Sequence, residues 1–293
     1  TVVFSPEYYF RIIDDAANKK RYFYIADKAK SGFTKHPGSG KYVGRYNTIS
    51  GHYSKTGAAP LVNLTRASAR SGARGKGSKW SEYDFASWCA VWLLYLVEFS
   101  YWDSQSKIGR GYVDGNSSAI SSGGTDSMTY HTGRAAGTNE KTAVQYRHIE
   151  NPYGNVFEFI DGINFSDGTV YVCLNPASYA DDTAANYTNI GSKIQSDGHI
   201  TAIGVAAAMP WAFFPTGVGG SETTYIPDYA YYDSGWRVLF VGGYWGYGGD
   251  AGLFYFNASN TSSNAYSNVG ARLLVFLLTG AGFPSPLGEN IAA

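Results

Sequence analysis

The sequence predicts an α+β protein, in which helices and strands occupy separate stretches of the chain. Residues 1–59 alternate short aromatic runs with turn residues, two helical patterns follow, and short apolar runs between long polar loops fill the C-terminal half. Helices and strands that are segregated in this way are typical of α+β folds. The chain has 293 residues, of which 44% are hydrophobic, and this is enough for a substantial core.

The N-terminal part has the pattern of strands joined by turns. The runs "YYFRII", "RYFYIA" and "KYVGRY" are separated by turn-forming residues such as those in "KHPGSGK". Such alternation favours short strands over helices. We therefore expect a strand-rich N-terminal segment, residues 1–59, followed by a larger domain, residues 60–293.

Two early helices follow this segment. Thr65 is a suitable N-cap for the first, in "LTRASARS". The second is "SEYDFASWCAVWLLYLVEFSYW", with Ser81 as its predicted N-cap and Glu82 and Asp84 in its first turn. Its apolar residues recur at helical spacing: Phe85, Trp88, Cys89, Trp92, Leu93, Leu96 and Phe99. Residues 86–97 carry no charge, but a membrane-spanning helix needs ~20 apolar residues, so we predict a core helix.

The late strands are short. The runs "TVYVCL", "ITAIGVA", "WRVLFVGG" and "ARLLVFLL" are separated by long polar stretches. We therefore expect a small antiparallel sheet with extensive irregular loops.

Composition argues against several functions. The net charge is zero and the pI is near 6.9, so no basic field attracts nucleic acid or anionic lipid. The five histidines show no HxH or HExxH spacing, and acidic stretches such as "YADDTAAN" offer too few ligands for a predicted calcium site. No GxSxG motif or phosphate loop is present. We expect no enzyme activity, no metal and no cofactor.

One segment has an unusual composition. Residues 242–268, "GGYWGYGGDAGLFYFNASNTSSNAYSN", contain 18 Gly, Ser, Asn or Tyr residues out of 27 and a single charge, Asp250. The apolar run "VGARLLVF" follows directly. Tyrosine offers a large amphipathic contact area at low entropic cost, and Ser, Gly and Asn offer adaptable hydrogen bonds, as in antibody paratopes. The segment is interpreted as a binding surface, and an ordinary strand surface rich in aromatic residues is the alternative.

Three stretches together resemble a known family. "ENPYGNVFEFIDGINF", residues 150–165, resembles the Gly-Asn-Val-Trp-Glu-Trp signature of the C-type lectin fold in its formylglycine-generating-enzyme-like form, with Phe157 and Phe159 replacing the tryptophans. The ending "GWRVLFVGGYWGYGG…NVGARLLVF" resembles the variable region of ligand-binding proteins that retroelements diversify in phages and bacteria. With the early helices after "NLTRASARS", the resemblance covers about residues 60–276.

The resemblance implies a function. In that family, a reverse transcriptase introduces adenine-directed errors, so that asparagine codons of a template become Tyr, Ser, Gly, Asp and other codons on a constant scaffold. The implied variable region is about 236–276. Its implied ligand-binding residues are Tyr244, Trp245, Gly246, Tyr247, Asp250, Tyr255, Asn257, Asn260 and Tyr266.

The resemblance also implies partners and a location. The ligand would be a bacterial surface protein or glycan, and the protein would lie on a virion, as part of a phage tail, or at a cell surface. A homotrimer and attachment to a larger assembly are both compatible with it. Membrane insertion and nucleic acid binding are not expected.

Two other functions remain as alternatives. An oxidase like the formylglycine-generating enzyme needs paired cysteines near its C-terminal active site, and no cysteine follows Cys173. A calcium-dependent sugar lectin usually carries a Glu-Pro-Asn or Gln-Pro-Asp triplet, and "ENP" at Glu150 has a different order.

Several residues near these motifs are expected to be structural. Trp236 is predicted to lie in the core, whereas Trp245 is assigned equally to core or contact. Phe157, Glu158 and Phe159 are interpreted as parts of a core strand. We expect Arg237 and Arg272 to pair with carboxylates or carbonyl groups beneath the binding loops.

Overall fold

A computed structural model describes residues 1–135, 142–192, 195–224 and 226–277. The protein is mixed α+β and mostly sheet, so the predicted fold class is confirmed at this level. The described strands, in chain order, are β1 (Val2–Ser5), β2 (Tyr9–Asp15), β3 (Lys20–Ala26), β4 (Thr34–Lys35), β5 (Lys41–Gly44), β6 (Trp80–Glu82), β7 (Gly133–Arg134), β8 (Val144–Tyr146), β9 (Ile149–Glu150), β10 (Phe157–Ser166), β11 (Thr169–Val172), β12 (Thr188–Ser192), β13 (Gly198–Ala206), β14 (Met209–Val218), β15 (Tyr229–Tyr232), β16 (Trp236–Gly242), β17 (Gly252–Asn260), β18 (Val269–Gly270) and β19 (Leu273–Phe276).

The main sheet has nine strands in the order β12-β11-β10-β16-β17-β15-β13-β14, with β18 paired beside β10. Most neighbours are antiparallel, but β15 runs parallel to β17 and β18 runs parallel to β10. The expectation of a small sheet with extensive loops is wrong, because the main sheet has more and longer strands than expected. The polar and glycine-containing stretches around residues 209–218 and 252–260 form long strands, because their apolar residues are buried in the sheet.

Both ends of the described chain meet in a second sheet, ordered β1-β5-β19-β6. Strand β5 pairs antiparallel with β1 on one side and with β19 on the other. The predicted N-terminal segment and the last described strand therefore share hydrogen bonds. The remaining described strands form two small sheets, β3-β2-β4 and β7-β8-β9.

The described helices are α1 (Arg66–Arg74), α2 (Phe85–Phe99) and α3 (Ser104–Ile108). Thr65 caps α1 as predicted, because its hydroxyl accepts the Ser68 N–H at 3.2 Å. The predicted N-cap of α2 is wrong. Asp84, not Ser81, accepts the Ser87 N–H at 2.7 Å, whereas Ser81 lies in β6 opposite Leu274.

Helix α2 is the predicted core helix. Its residues 85–96 are all buried, and Trp92 packs on Phe254 with ring centroids 4.7 Å apart. The Trp92 Nε1–H also donates to the Leu253 carbonyl at 2.7 Å, so α2 is held directly against β17. Within the described ranges, no helix is long and apolar enough to cross a membrane.

His36 lies fully buried beside β2 and faces three aromatic rings. Its ring centroid lies 5.2 Å from Tyr8, 5.3 Å from Phe10 and 5.9 Å from Trp211. Its Nδ1 accepts the Gly38 N–H at 3.1 Å. Burial, with a smaller contribution from the charge of Lys41, lowers the pKa of His36 to about 3.

This burial predicts an acid sensitivity. The folded protein keeps His36 neutral, while the unfolded chain binds a proton near pH 6.5, so His36 costs stability as the pH falls from about 6.5 towards about 3. Replacing it by a residue that does not titrate, in His36→Gln, should make the decline of unfolding free energy between these values shallower by up to ~1.4 kcal/mol per pH unit. Urea titrations over that range measure the slope, and equal slopes for both proteins would contradict the assignment.

Candidate functional site

Six aromatic rings from four separate strands and loops converge on one face of the main sheet. We call them the aromatic cluster: Phe157, Tyr229, Tyr231, Tyr244, Tyr247 and Tyr255. The cluster lies on the face opposite Phe254, which packs on α2, because successive side chains of β17 alternate between faces. The aromatic cluster therefore rests on β10, β15 and β17 and is covered by the loop between β16 and β17.

Tyr255 and Tyr247 connect the cluster. Their rings are 5.2 Å apart, and Phe157 lies 5.2 Å from Tyr247 and 5.5 Å from Tyr255. Tyr244 packs on both Tyr247, at 4.9 Å, and Phe157, at 5.0 Å. These separations are those of favourable aromatic pairs, so the rings support one another.

The cluster has a buried base and a partly exposed edge. Tyr255 is fully buried, whereas Tyr229, Tyr231, Tyr244 and Tyr247 are half-buried. Burial raises the pKa of Tyr255 well above its usual value, and the neighbouring Tyr247 adds to the shift. Burial also raises the pKa of Tyr231. The Tyr231 phenol therefore stays neutral and can act as a hydrogen-bond donor at the edge.

Glycine determines the path of the covering loop. Gly243 has φ +75°, and a Cβ there would lie 2.5 Å from the Ala251 Cβ, so a side chain would push the two ends of the loop apart. The Gln105 side chain donates to the Gly248 and Ala251 carbonyls at 2.9 and 2.7 Å. Part of the glycine content of the biased segment is therefore structural, and the loop is ordered before any ligand arrives.

A buried carboxyl group supports the start of β17. The Asp228 Oδ2 accepts the Phe254 N–H at 2.6 Å, and a Cβ on Gly252 would lie 2.3 Å from the same oxygen. Burial raises the pKa of Asp228 well above its usual value. Gly252 is thus required for the close approach of Asp228.

The rim of the cluster carries an acid and an imidazole. Asp250 Oδ1 lies 3.8 Å from His199 Nε2, and His199 packs on Tyr229 at 5.0 Å. His199 Nδ1 lies 2.6 Å from the Pro227 carbonyl, so Nδ1 carries the proton that it donates there. Burial raises the pKa of Asp250, Glu222 adds to the shift and His199 opposes it. The rim offers polar groups beside apolar rings.

A buried ion pair lies beneath this face. Glu158 of β10 and Arg272 are both nearly inaccessible, and Arg272 Nε lies 3.0 Å from each Glu158 carboxylate oxygen. The guanidinium also donates to four backbone carbonyls, those of Gly44, Arg45, Glu150 and Asn151. The expected carboxylate and carbonyl partners of Arg272 are confirmed, and Arg237 likewise pairs with Asp233 at 2.8 Å.

The structure separates the predicted site residues into three groups. Tyr244, Trp245, Gly246, Tyr247 and Asp250 lie in the covering loop or the 3-10 turn that ends it, and each is at least partly exposed. Tyr255, Asn257 and Asn260 lie in β17, while Tyr266, 44% exposed, lies in the loop after it and is not in the aromatic cluster.

Three expectations about exposure are wrong. Tyr255 was expected at an exposed position, but it is buried because β17 is an inner strand whose cluster-facing side is covered by Tyr247. Asn257 is also buried; its Oδ1 accepts hydrogen bonds from Ser259 and Asn260 and its Nδ2 donates to the Tyr255 hydroxyl at 3.1 Å. Trp236, predicted to be core, is half-buried against Tyr171.

Sequence reasoning missed three members of the surface. Tyr229 and Tyr231 enter from β15, and His199 enters from β13. The alternation in "YAYY" places Tyr229 and Tyr231 on one strand face and could have indicated them. Nothing local in the sequence connects them to residues 244–255.

The thiols and acidic groups offer little chemistry near the cluster. Cys89 and Cys173 are free and buried, and burial raises the pKa of both. Across the part of the chain that the structure describes, no group of three or more His, Cys, Asp or Glu residues is arranged to hold a metal ion.

No protein-family model and no curated protein matches the sequence.

Proposed function

We propose that the protein is a ligand-binding protein whose contact surface is the exposed edge of the aromatic cluster with its polar rim. The observation that carries this proposal is the convergence of four half-buried tyrosines on a buried base that includes Tyr255, beside Asp250 and His199. Partly exposed aromatic rings beside hydrogen-bonding groups are typical of protein recognition surfaces.

The ordered covering loop supports affinity. Gln105 and the loop's own backbone hydrogen bonds, such as Tyr247 N–H to the Tyr244 carbonyl at 3.1 Å, hold the loop before binding. Each side chain that is already immobilised avoids an ordering cost of roughly 0.5–1.5 kcal/mol on binding. The tyrosines thus need little rearrangement to make contact.

The finer part of the proposal is a C-type lectin fold and a retroelement-diversified binding surface. It is supported by the Glu158–Arg272 pair, which connects the two motifs that carry the resemblance. The exposed loop residues Tyr244, Gly246, Tyr247 and Asp250 are of types that asparagine codons yield under adenine-directed errors. A reverse transcriptase gene and a near-identical template repeat beside the coding sequence would test this origin.

The proposed ligand is a protein or glycan of a bacterial surface, and the protein would act at a virion tail or cell surface, either as a homotrimer or as part of a larger assembly. The zero net charge gives no long-range attraction to polyanions. Binding would therefore depend on short-range contacts of the rings and the rim.

Truncating the exposed rings should abolish most binding without unfolding the protein. A central aromatic anchor typically contributes at least ~2 kcal/mol to binding when cut to alanine, so Tyr244→Ala and Tyr247→Ala should each weaken binding by about thirtyfold or more. A panel of bacterial cells, with the labelled protein titrated on strains that the parent binds, provides the measurement.

The matched control is Tyr24→Ala, which removes a tyrosine that is 43% exposed on β3, outside the aromatic cluster. It should bind and melt as the parent does, whereas Tyr247→Ala, which uncovers Tyr255, should melt earlier but remain folded at the temperature of the binding assay. Full binding by both cluster variants would refute the proposed surface. Unfolding of Tyr244→Ala and Tyr247→Ala would show that these rings are required for the folded structure, and it would contradict their role as a contact surface.

A further inference from the structure

A cavity that shares no residue with the aromatic cluster lies between the edge strand β1, helix α2 and the turn between β8 and β9. Its volume is about 340 Å³, within the range of small-molecule pockets. Strand β1 is at the end of its sheet, and Val3 lies directly opposite Val43, a buried residue that also lines the cavity.

The floor and the mouth of this cavity differ in chemistry. Its floor is apolar and is formed mainly by Val3, Val43, Val91, Leu94 and Ile149. Its mouth carries the polar side chains of Arg147, His131 and His148. A ligand with an apolar body and a polar end would therefore contact a suitable surface with each part.

The mouth of the cavity offers hydrogen-bond donors beside one guanidinium–carboxylate pair. The Arg147 guanidinium lies 3.0 Å from Glu98, and His131 Nε2 lies 3.6 Å from the same carboxylate. Glu98 is thus shared by the Arg147 guanidinium and the His131 ring. The His131 and His148 rings are 6.0 Å apart, and Arg45 donates to the His148 carbonyl at 3.2 Å, while its own charge faces Asp126 at 3.4 Å.

A lowered pKa leaves the His148 ring neutral at pH 7, so this ring offers a hydrogen-bond donor and no charge. Burial lowers the pKa of His148, and the charges of Arg45 and His131 lower it further. A neighbouring anion would reverse the contribution of those charges. Arg147 remains accessible, with 41% of its side chain exposed, so its guanidinium can hydrogen-bond a second carboxylate besides Glu98.

We propose that this cavity binds a small amphipathic carboxylate, with its apolar body between β1 and α2 and its carboxylate at Arg147, His131 and His148. The site is separate from the aromatic cluster, and the proposal does not depend on the ligand proposed there. An apolar cavity alone would accept any hydrophobic molecule, whereas the Arg147 guanidinium and the imidazole N–H groups at the mouth select for an end that accepts hydrogen bonds.

Three probes with the same chain and different head groups test the selection. Calorimetric titrations of the intact protein with octanoate, octanol and octylammonium should give the tightest binding for octanoate. Octanol should bind about tenfold more weakly, because it loses the charge-assisted hydrogen bonds, and octylammonium should bind more weakly still. Equal binding of the three, or no octanoate binding, would overturn the proposal.

Two pairs of variants locate the site. Val3→Trp should fill the cavity and abolish octanoate binding, while Val2→Trp, on the other face of the same strand, should not. Arg147→Gln should remove the preference for octanoate over octanol, whereas Lys28→Gln, an exposed lysine outside the cavity lining, should preserve it. Binding that survives Val3→Trp, or a preference that survives Arg147→Gln, would place the carboxylate elsewhere and contradict the proposal.

Discussion

Arg272→Met should destabilise the protein by about 3–5 kcal/mol, the cost of breaking a buried ion pair and leaving one charge without its partner. The Arg272 side chain is completely inaccessible and that of Glu158 is 5% exposed. The substitution also removes the donors to four backbone carbonyls that join β5, β9 and the loop before β10. Urea unfolding of parent and variant measures the difference.

The control for this prediction is Arg237→Met, which also removes a guanidinium that is paired with a carboxylate. Asp233 is 54% exposed, and an exposed pair contributes less than about 1 kcal/mol. Arg272→Lys keeps the charge with fewer donors, so its unfolding free energy should fall between that of Arg272→Met and that of the parent. Similar losses for Arg237→Met and Arg272→Met would contradict the structural role of the buried pair.

Phe254→Ala should also cost about 3–5 kcal/mol, because it leaves a cavity where α2 meets the main sheet. The Phe254 ring is fully buried and lies 4.7 Å from Trp92, 5.2 Å from Trp102 and 5.6 Å from Tyr95. The residue faces away from the aromatic cluster, so the folded variant should bind its ligand as the parent does. Thermal melting and binding below the melting temperature separate the two effects.

Phe33→Ala is the matched control for Phe254→Ala, because Phe33 is only half-buried beside Lys30. It should lose far less stability. A Phe254→Ala variant that melts with the parent would show that α2 does not depend on β17. A Phe254→Ala variant that folds but no longer binds the ligand would show that packing on the α2 face of the sheet affects the aromatic cluster on the other face.

Helix α2 could be predicted because its twelve charge-free residues have helical spacing and are long enough for several turns. Its first residue could not. Ser81 and Asp84 are both good capping residues, and the choice depends on the pairing of β6 with β19, whose residues lie almost 200 positions later in the chain. Local capping preferences carry no information about such a partner.

The composition of the sequence reveals the biased segment, residues 242–268, but it does not reveal which of its side chains are buried. Tyr244, Tyr247 and Tyr255 are the same residue type in a similar local context, yet only Tyr255 is buried. The difference arises because β17 has β16 on one side and β15 on the other. The parallel pairing of β15 with β17 also brings Tyr231 into the cluster, and a single sequence does not reveal long-range parallel pairing.

The most direct test of the proposed binding surface is a selection in which only the at least partly exposed positions 244, 245, 246, 247, 250 and 260 are randomised. A display library measured for folded members by protease resistance, and then for binding to bacterial surfaces, reports on both parts of the claim. We predict that most members stay folded and that different members bind different strains. A library that is mostly unfolded, or one whose members all bind the strains of the parent equally well, would contradict the claim that these residues form an interchangeable contact surface on a constant frame.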